Sequence, residues 1–213
     1  MSVLKRMLVQ SKKPSGRFGR FLARGMNLGH SSLTAWGLSF IDITSDIHAL
    51  DIGCGGGRTV ERLAGIATDG KVIGIDYSPD AVAVARKKNR ALINEGRVEI
   101  LQEAVSSMRF NDGSFGLVTA VESHYFWPDF RNDLKEVHRV MKPNGQLLIV
   151  GAAYKNEKYD RRNRRIVDVI GMTYLSIEEF REILESAGYS DFVAHEEKKK
   201  GWFTVVCKKQ EIA

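Results

Sequence analysis

Two hydrophobic rhythms alternate along this chain from Ile47 onward. Short apolar runs are separated by longer stretches in which apolar residues recur every third or fourth position. The short runs predict strands over residues 49–52, 71–75, 98–101, 115–120 and 146–150, with two more near 191–195 and 202–207. Strands interleaved with helices stack into a mostly parallel sheet, so the pattern predicts an α/β, doubly wound sheet of seven strands.

The helical stretches carry their own boundary chemistry. Ser78 followed by Pro79 sets a capping hydroxyl before a residue whose ring fixes helical φ, which predicts one helix from there to about Asn94. After Pro128, the spacing of Phe130, Leu134, Val137, Val140 and Met141 predicts a second helix that ends before Pro143. Ser176 with Glu179 forms a capping box, Ile177, Phe180, Ile183, Leu184 and Ala187 make one apolar stripe, and Gly188 is placed to stop the helix. These stripes are read as core. Residues 1–46 precede the first strand and are read as a helical cap or lid. Residues 47–213 form the core domain, with the polar, arginine-rich stretch 151–174 as a lid insertion.

Composition narrows the class. A chain of 213 residues, 43% hydrophobic and 27% charged, suits one sizeable core. Its formal net charge of +6 would suit an anionic small substrate, a membrane surface or nucleic acid about equally. The excess is clustered, at Lys5 to Arg24, at Arg161, Arg162, Arg164 and Arg165, and at Lys198, Lys199 and Lys200. Cys54 and Cys207 stand far apart without metal-ligand spacing, so neither a disulfide framework nor a metal site is expected. No apolar run reaches about 18 residues and no secretory signal is visible, so no membrane span and a cytoplasmic location are expected.

The candidate chemistry begins where the first strand, Ala49-Leu50-Asp51-Ile52, breaks into Gly53-Cys54-Gly55-Gly56-Gly57. Glycines there let backbone approach a ligand without Cβ obstruction, and the helix that follows offers free N–H groups to an anion. A nicotinamide dinucleotide fingerprint would place glycine where Arg58 stands, which weakens a dehydrogenase reading. The second strand ends at Asp76, where doubly wound folds place a carboxylate that takes two ribose hydroxyls.

With the pair Glu103-Ala104, the segment Phe115-Gly116-Leu117-Val118 and the run from Glu136 to Gly145, these motifs resemble the class I methyltransferases that use S-adenosylmethionine (SAM). The likeness is to their small-molecule branch, which includes quinone and sterol methyltransferase-like enzymes, and it spans about three quarters of the chain. The resemblance implies SAM as cofactor and S-adenosylhomocysteine as product. It places Gly53, Gly55 and Gly57 beside the methionine moiety, Asp76 on the ribose, Tyr77 against the adenine, and Glu103 and Ala104 at the adenine edge, and it counts Asp51 and Val121 among the cofactor-binding residues. The family usually has Asp in place of both Glu103 and Gly116. The first change lengthens the carboxylate arm by one methylene, and the second falls at a strand start.

Ligands of such sheets lie beyond the carboxyl ends of the strands, so the segment from Val121 to Pro128 is expected to face the transferable methyl. Glu122, Tyr125, Phe126 and Trp127 are candidate pocket walls for the acceptor, although such aromatics also serve packing. His124 is a candidate general base, with His30 as the second and Trp36 as a residue closing over the site. His48, His138 and His195 are read as surface residues. The acceptor expected is a small molecule. RNA or DNA is disfavoured because the fourth strand is not followed by an Asn-Pro-Pro-Tyr type motif; protein methylation and SAM binding without turnover stand as alternatives.

Overall fold

Five parallel strands form the centre of a computed structural model that describes residues 31–210: β1 (His48–Ile52), β2 (Lys71–Asp76), β3 (Val98–Gln102), β4 (Phe115–Val121) and β5 (Met141–Gly151). β6 (Tyr189–Glu197) and β7 (Trp202–Lys209) complete the sheet in the order β3-β2-β1-β4-β5-β7-β6, with β7 antiparallel to both of its neighbours. All seven predicted strands are present. β5 begins at Met141 rather than near 146, because Met141 pairs with Phe115 before a register shift between Phe115 and Leu117.

The helices are α1 (Ser31–Leu38), α2 (Arg58–Ile66), α3 (Pro79–Lys88), α4 (Arg90–Asn94), α5 (Phe130–Val140), α6 (Asp160–Ile170) and α7 (Ile177–Ser186). The Ser78 cap and the Ser176/Glu179 capping box form as read, and α5 is capped by Asp129. The single helix expected over 79–94 is instead two. The break falls at Asn89, whose side-chain amide donates to the carbonyls of Gly57 and Ala85 at 3.0 Å each. Asn89 is 1% exposed and serves as a strut to the glycine loop.

Two hydrophobic clusters fill the layers on either side of the sheet. One includes Leu134, Phe180, Ile183 and Phe203 under α5 and α7; the other includes Leu33, Val60, Leu63 and Val82 under α1, α2 and α3. Complete burial of a Leu or Val side chain stabilises by about 1.5–3 kcal/mol. α1 lies close on β5, because a Cβ on Gly37 would stand 2.4 Å from Val150 Cγ2. The order of pairing reverses at β1, which has β2 on one side and β4 on the other, so the crevice opens beyond the carboxyl ends of β1 and β4. Residues 1–30 of the cap expected over 1–46, with the candidate base His30, lie outside the described residues.

Candidate cofactor and acceptor site

The loop after β1 is pinned to the end of β2. The amides of Gly53 and Cys54 both donate to the Ile75 carbonyl, at 2.8 and 2.9 Å, and Gly57 N–H donates to Cys54 at 2.8 Å. Gly53, Gly55 and Gly57 all have positive φ, where a Cβ is strained, but their surroundings differ. A Cβ on Gly53 would meet Ser123 Cβ at 2.4 Å, and one on Gly57 would meet Ala85 Cβ at 2.9 Å. A Cβ on Gly55 would meet nothing within 4 Å. Gly53 and Gly57 therefore answer to protein packing. Gly55 is the one of the three whose bareness leaves space on the open side of the loop.

Asp76 closes the opposite wall. Its Oδ2 accepts from Gly55 N–H at 3.0 Å and its Oδ1 from Ser78 N–H at 2.8 Å, which leaves each oxygen a further lone pair for a hydroxyl donor. Burial raises its pKa against the effect of these two bonds. Asp51, within β1, is 2% exposed and accepts from Thr119 Oγ1 at 2.7 Å. Burial pushes its pKa up to about 7, against the lowering effect of Thr119 and with a contribution from the like charge of Asp76.

The raised Asp51 pKa has a testable consequence for stability. The folded chain binds a proton that the unfolded chain has released between pH 3.8 and about 7, so stability falls as pH rises through that window. Asp51→Asn should therefore stabilise the ligand-free protein at pH 8 by on the order of 1–2 kcal/mol and have little effect near pH 4. This is less than the ~1.4 kcal/mol per pKa unit implies, because the new amide hydrogens lack a built partner. Thermal unfolding at both pH values checks it, and an equal shift at both would exclude ionisation as the cause.

At the end of β3, the Glu103 carboxylate is ion-paired through Oε1 to Arg109 Nε, while its buried Oε2 has no hydrogen-bond partner among the described residues. The Glu103 side chain is 6% exposed, so the orphaned oxygen is costly unless a donor meets it. Tyr77 is 38% exposed beside Asp76, as an aromatic face against a ligand must be, and Ala104 is exposed.

The segment after β4 departs from the expected pocket wall. Glu122 adopts φ 55°, an uncommon state for a residue with a Cβ, and its Oε1 accepts from Ala152 N–H at 2.6 Å and from Tyr125 Oη at 3.0 Å. Tyr125 Oη in turn accepts from the amides of Ala152 and Ala153, so this pair ties the end of β4 to the end of β5. Ser123 Oγ donates to the Ile52 carbonyl at 2.5 Å and ties β4 to β1. His124 is wholly buried, with ring centroids of Tyr125, Phe180 and Phe203 at 3.9, 5.5 and 5.7 Å. Desolvation lowers its pKa to about 3, and neither ring nitrogen has a partner among the described residues.

Tyr125 and Trp127 are also core residues, 3% and 7% exposed, whereas Phe126 and Val121 are half-buried. Most of this aromatic segment is thus packing, because the short 3-10 turn His124–Phe126 folds its rings back beneath the strand ends. Trp36 packs on the second core cluster, with its ring against Phe40 at 5.1 Å and Trp202 at 5.9 Å. Among the other histidines, His138 bonds the Gly188 carbonyl, His195 stacks on Phe40 and His48 is exposed. Sequence reading missed the struts Asn89 and Ser123 and the Tyr125 bond. The signals were faint: an Asn inside a helical pattern and a Ser after the fourth strand.

Residues 50–149 match the family described as "Methyltransferase domain". The matched span, 100 of the 213 residues, includes the glycine loop, Asp76, Glu103 and the segment after β4. It is 33% identical over 112 residues to the demethylmenaquinone methyltransferase of Bacillus cereus, covering 52% of this chain and 47% of that protein. It is 27% identical over 124 residues to the sterol 4-C-methyltransferase of Caenorhabditis elegans, covering 58% of this chain and 36% of that protein. The chain spans between about a third and a half of the length of these curated relatives. In fold it is similar to a chain from the complex of the Haloferax volcanii Trm112 methyltransferase activator with a methyltransferase. There the TM-score is 0.77 at 20% identity, over 89% of this chain and 94% of that one.

Proposed function

We propose that the protein transfers a methyl group from SAM to a small-molecule acceptor held beyond the carboxyl ends of β4 and β5. The observation that carries this reading is the facing pair of Gly55, with open space where a Cβ would lie, and Asp76, with both oxygens anchored and each still able to accept a bond. The residues present fit SAM. Asp76 would take the two ribose hydroxyls, the orphaned Glu103 Oε2 the adenine amine, Tyr77 the adenine face, and Gly53–Gly57 the methionine end. Bound there, SAM supplies a methyl carbon already activated by positive sulfur for in-line displacement.

The chain's own contribution is to align the acceptor and exclude water. Glu122 and Tyr125 fix the two strand ends that floor the acceptor site, and the strained φ of Glu122 is the kind of feature that functional sites retain. We assign His124 to packing rather than proton transfer, because a base must reach the acceptor and hold a pKa near the working pH. Residues 1–46 and 151–174 are proposed to cover the site. The relatives named for sterol and demethylmenaquinone support an apolar, ring-bearing acceptor.

The test is to incubate the protein with methyl-labelled SAM and, separately, a lipid extract, an aqueous metabolite extract, total RNA and unfractionated protein. Label entering a lipid-soluble or other small molecule is the result expected. Label in RNA or protein would replace the acceptor class. S-adenosylhomocysteine binding with no label transferred to any of the four would favour a SAM-binding protein without turnover.

A further inference from the structure

We propose that the rim of the acceptor site is a docking surface for an anionic lipid bilayer, formed by the tip of the β6–β7 hairpin and the start of α6. Gly151, at the carboxyl end of β5, pairs with Phe203 near the start of β7, and Glu197 at the end of β6 pairs with Trp202. The hairpin tip, residues 198–201, therefore projects from the same end of the sheet as the crevice. α6 is fastened to it. Tyr159 Oη donates to the Lys199 carbonyl at 2.5 Å, and the Tyr159 ring covers Gly201 so closely that a Cβ there would stand 2.7 Å from it.

This fastening gathers Lys158, Arg161, Lys198, Lys199 and Lys200 on one rim, all exposed and none in an ion pair with a described residue. The acids beside them are fewer. Asp160 pairs with Arg164, while Glu196 accepts from Tyr154, Glu197 accepts from the Lys199 backbone and Glu157 is exposed; these three keep their charges, so the five cations exceed the uncancelled acids by two. A local excess of cations attracts anionic headgroups, with an effect of about fivefold in affinity per lysine near the surface.

Two observations favour a bilayer over nucleic acid as the anionic partner. Single-stranded nucleic acid is held by aromatic faces displayed for base stacking, but the rings here are turned on one another and on the lysines. Trp202 packs against Trp36 and lies under Lys200 Nζ at 4.2 Å. With its indole so covered, the rim presents ammonium groups without a stacking face, which suits a layer of phosphate headgroups. The second observation rests on the acceptor reading above: an acceptor resembling those of the sterol and demethylmenaquinone relatives would reside in the bilayer, and docking by this rim sets the crevice against its source.

Flotation with vesicles tests the proposal. The full chain should float with phosphatidylcholine vesicles containing about 30% phosphatidylglycerol and not with phosphatidylcholine alone, and should be released by about 0.5 M salt. The combined variant Lys198→Gln, Lys199→Gln, Lys200→Gln should lower this partition by about 100-fold while S-adenosylhomocysteine binding and melting temperature stay unchanged. Equal flotation with neutral vesicles, unchanged partition of the triple variant, or release from anionic vesicles by an equal charge of single-stranded RNA that itself binds more tightly would each overturn the docking assignment. Cofactor binding is read in the same samples. Loss of docking with cofactor binding intact therefore overturns the rim alone, and absent cofactor binding in the wild type strikes the methyltransferase reading.

Discussion

Gly55→Val is expected to lower affinity for S-adenosylhomocysteine by at least about 100-fold while the protein still folds. The space that a side chain would enter at residue 55 is open in the protein, so the folded chain loses only the strain of a Cβ at φ 53°, about 1–2 kcal/mol. The ligand loses the space itself. Gly57→Ala should show the opposite balance, because its Cβ would press on Ala85 at 2.9 Å and on the Asn89 amide at 2.5 Å, so the melting temperature falls first. Asp76→Ala should weaken binding by roughly 10- to 100-fold, the loss of charge-assisted bonds worth about 1.5–3 kcal/mol. Because burial raises the Asp76 pKa and hydroxyl donors need the ionised carboxylate, binding should weaken as pH falls through that raised value, and the Ala variant should lose this dependence. Calorimetric titration across pH reads both. Retained affinity in a folded Gly55→Val protein would remove the loop from the cofactor site, and an unchanged dissociation constant in Asp76→Ala would remove the ribose contact.

The sequence revealed the parts of this molecule that depend on local physics. Strand periodicity, the Ser78 and Ser176 caps and the glycine loop each result from residues close together in the chain, and each stands where the pattern put it. Contacts across the sheet were not legible. Nothing local reveals that the Asn89 side chain reaches across to bond Gly57, or that Ser123 fills the space that Gly53 leaves bare. The same limit shaped the reading of the segment after β4. Its aromatic composition fits a pocket wall and a packed turn equally, and the decision falls to Phe180 and Phe203, which lie far along the chain and enclose His124.

His124→Leu is expected to leave turnover and its pH profile unchanged and to make the protein more resistant to acid. The imidazole is 0% exposed among aromatic rings, and both of its nitrogens lack partners among the described residues, so the neutral ring already carries a desolvation cost. Its pKa falls from 6.5 to about 3, which means the unfolded chain binds a proton that the folded chain refuses across that interval. Stability contributed by the neutral ring is complete above pH 6.5 and is lost as pH falls toward about 3, at roughly 1.4 kcal/mol per unit. At pH 5 the leucine variant, close in volume and without a titratable group, should be more stable than wild type by on the order of 2 kcal/mol, with a smaller difference at pH 8. His124→Ala should instead lose about 3–5 kcal/mol at pH 8, because it empties a cavity between Tyr125, Phe180 and Phe203, and about 2 kcal/mol less than that at pH 5, where the wild type carries the cost of the refused proton. Were His124 the base, the leucine variant would turn over roughly 10²- to 10⁴-fold more slowly with cofactor affinity intact, and the acidic limb of the wild-type rate profile would vanish in it.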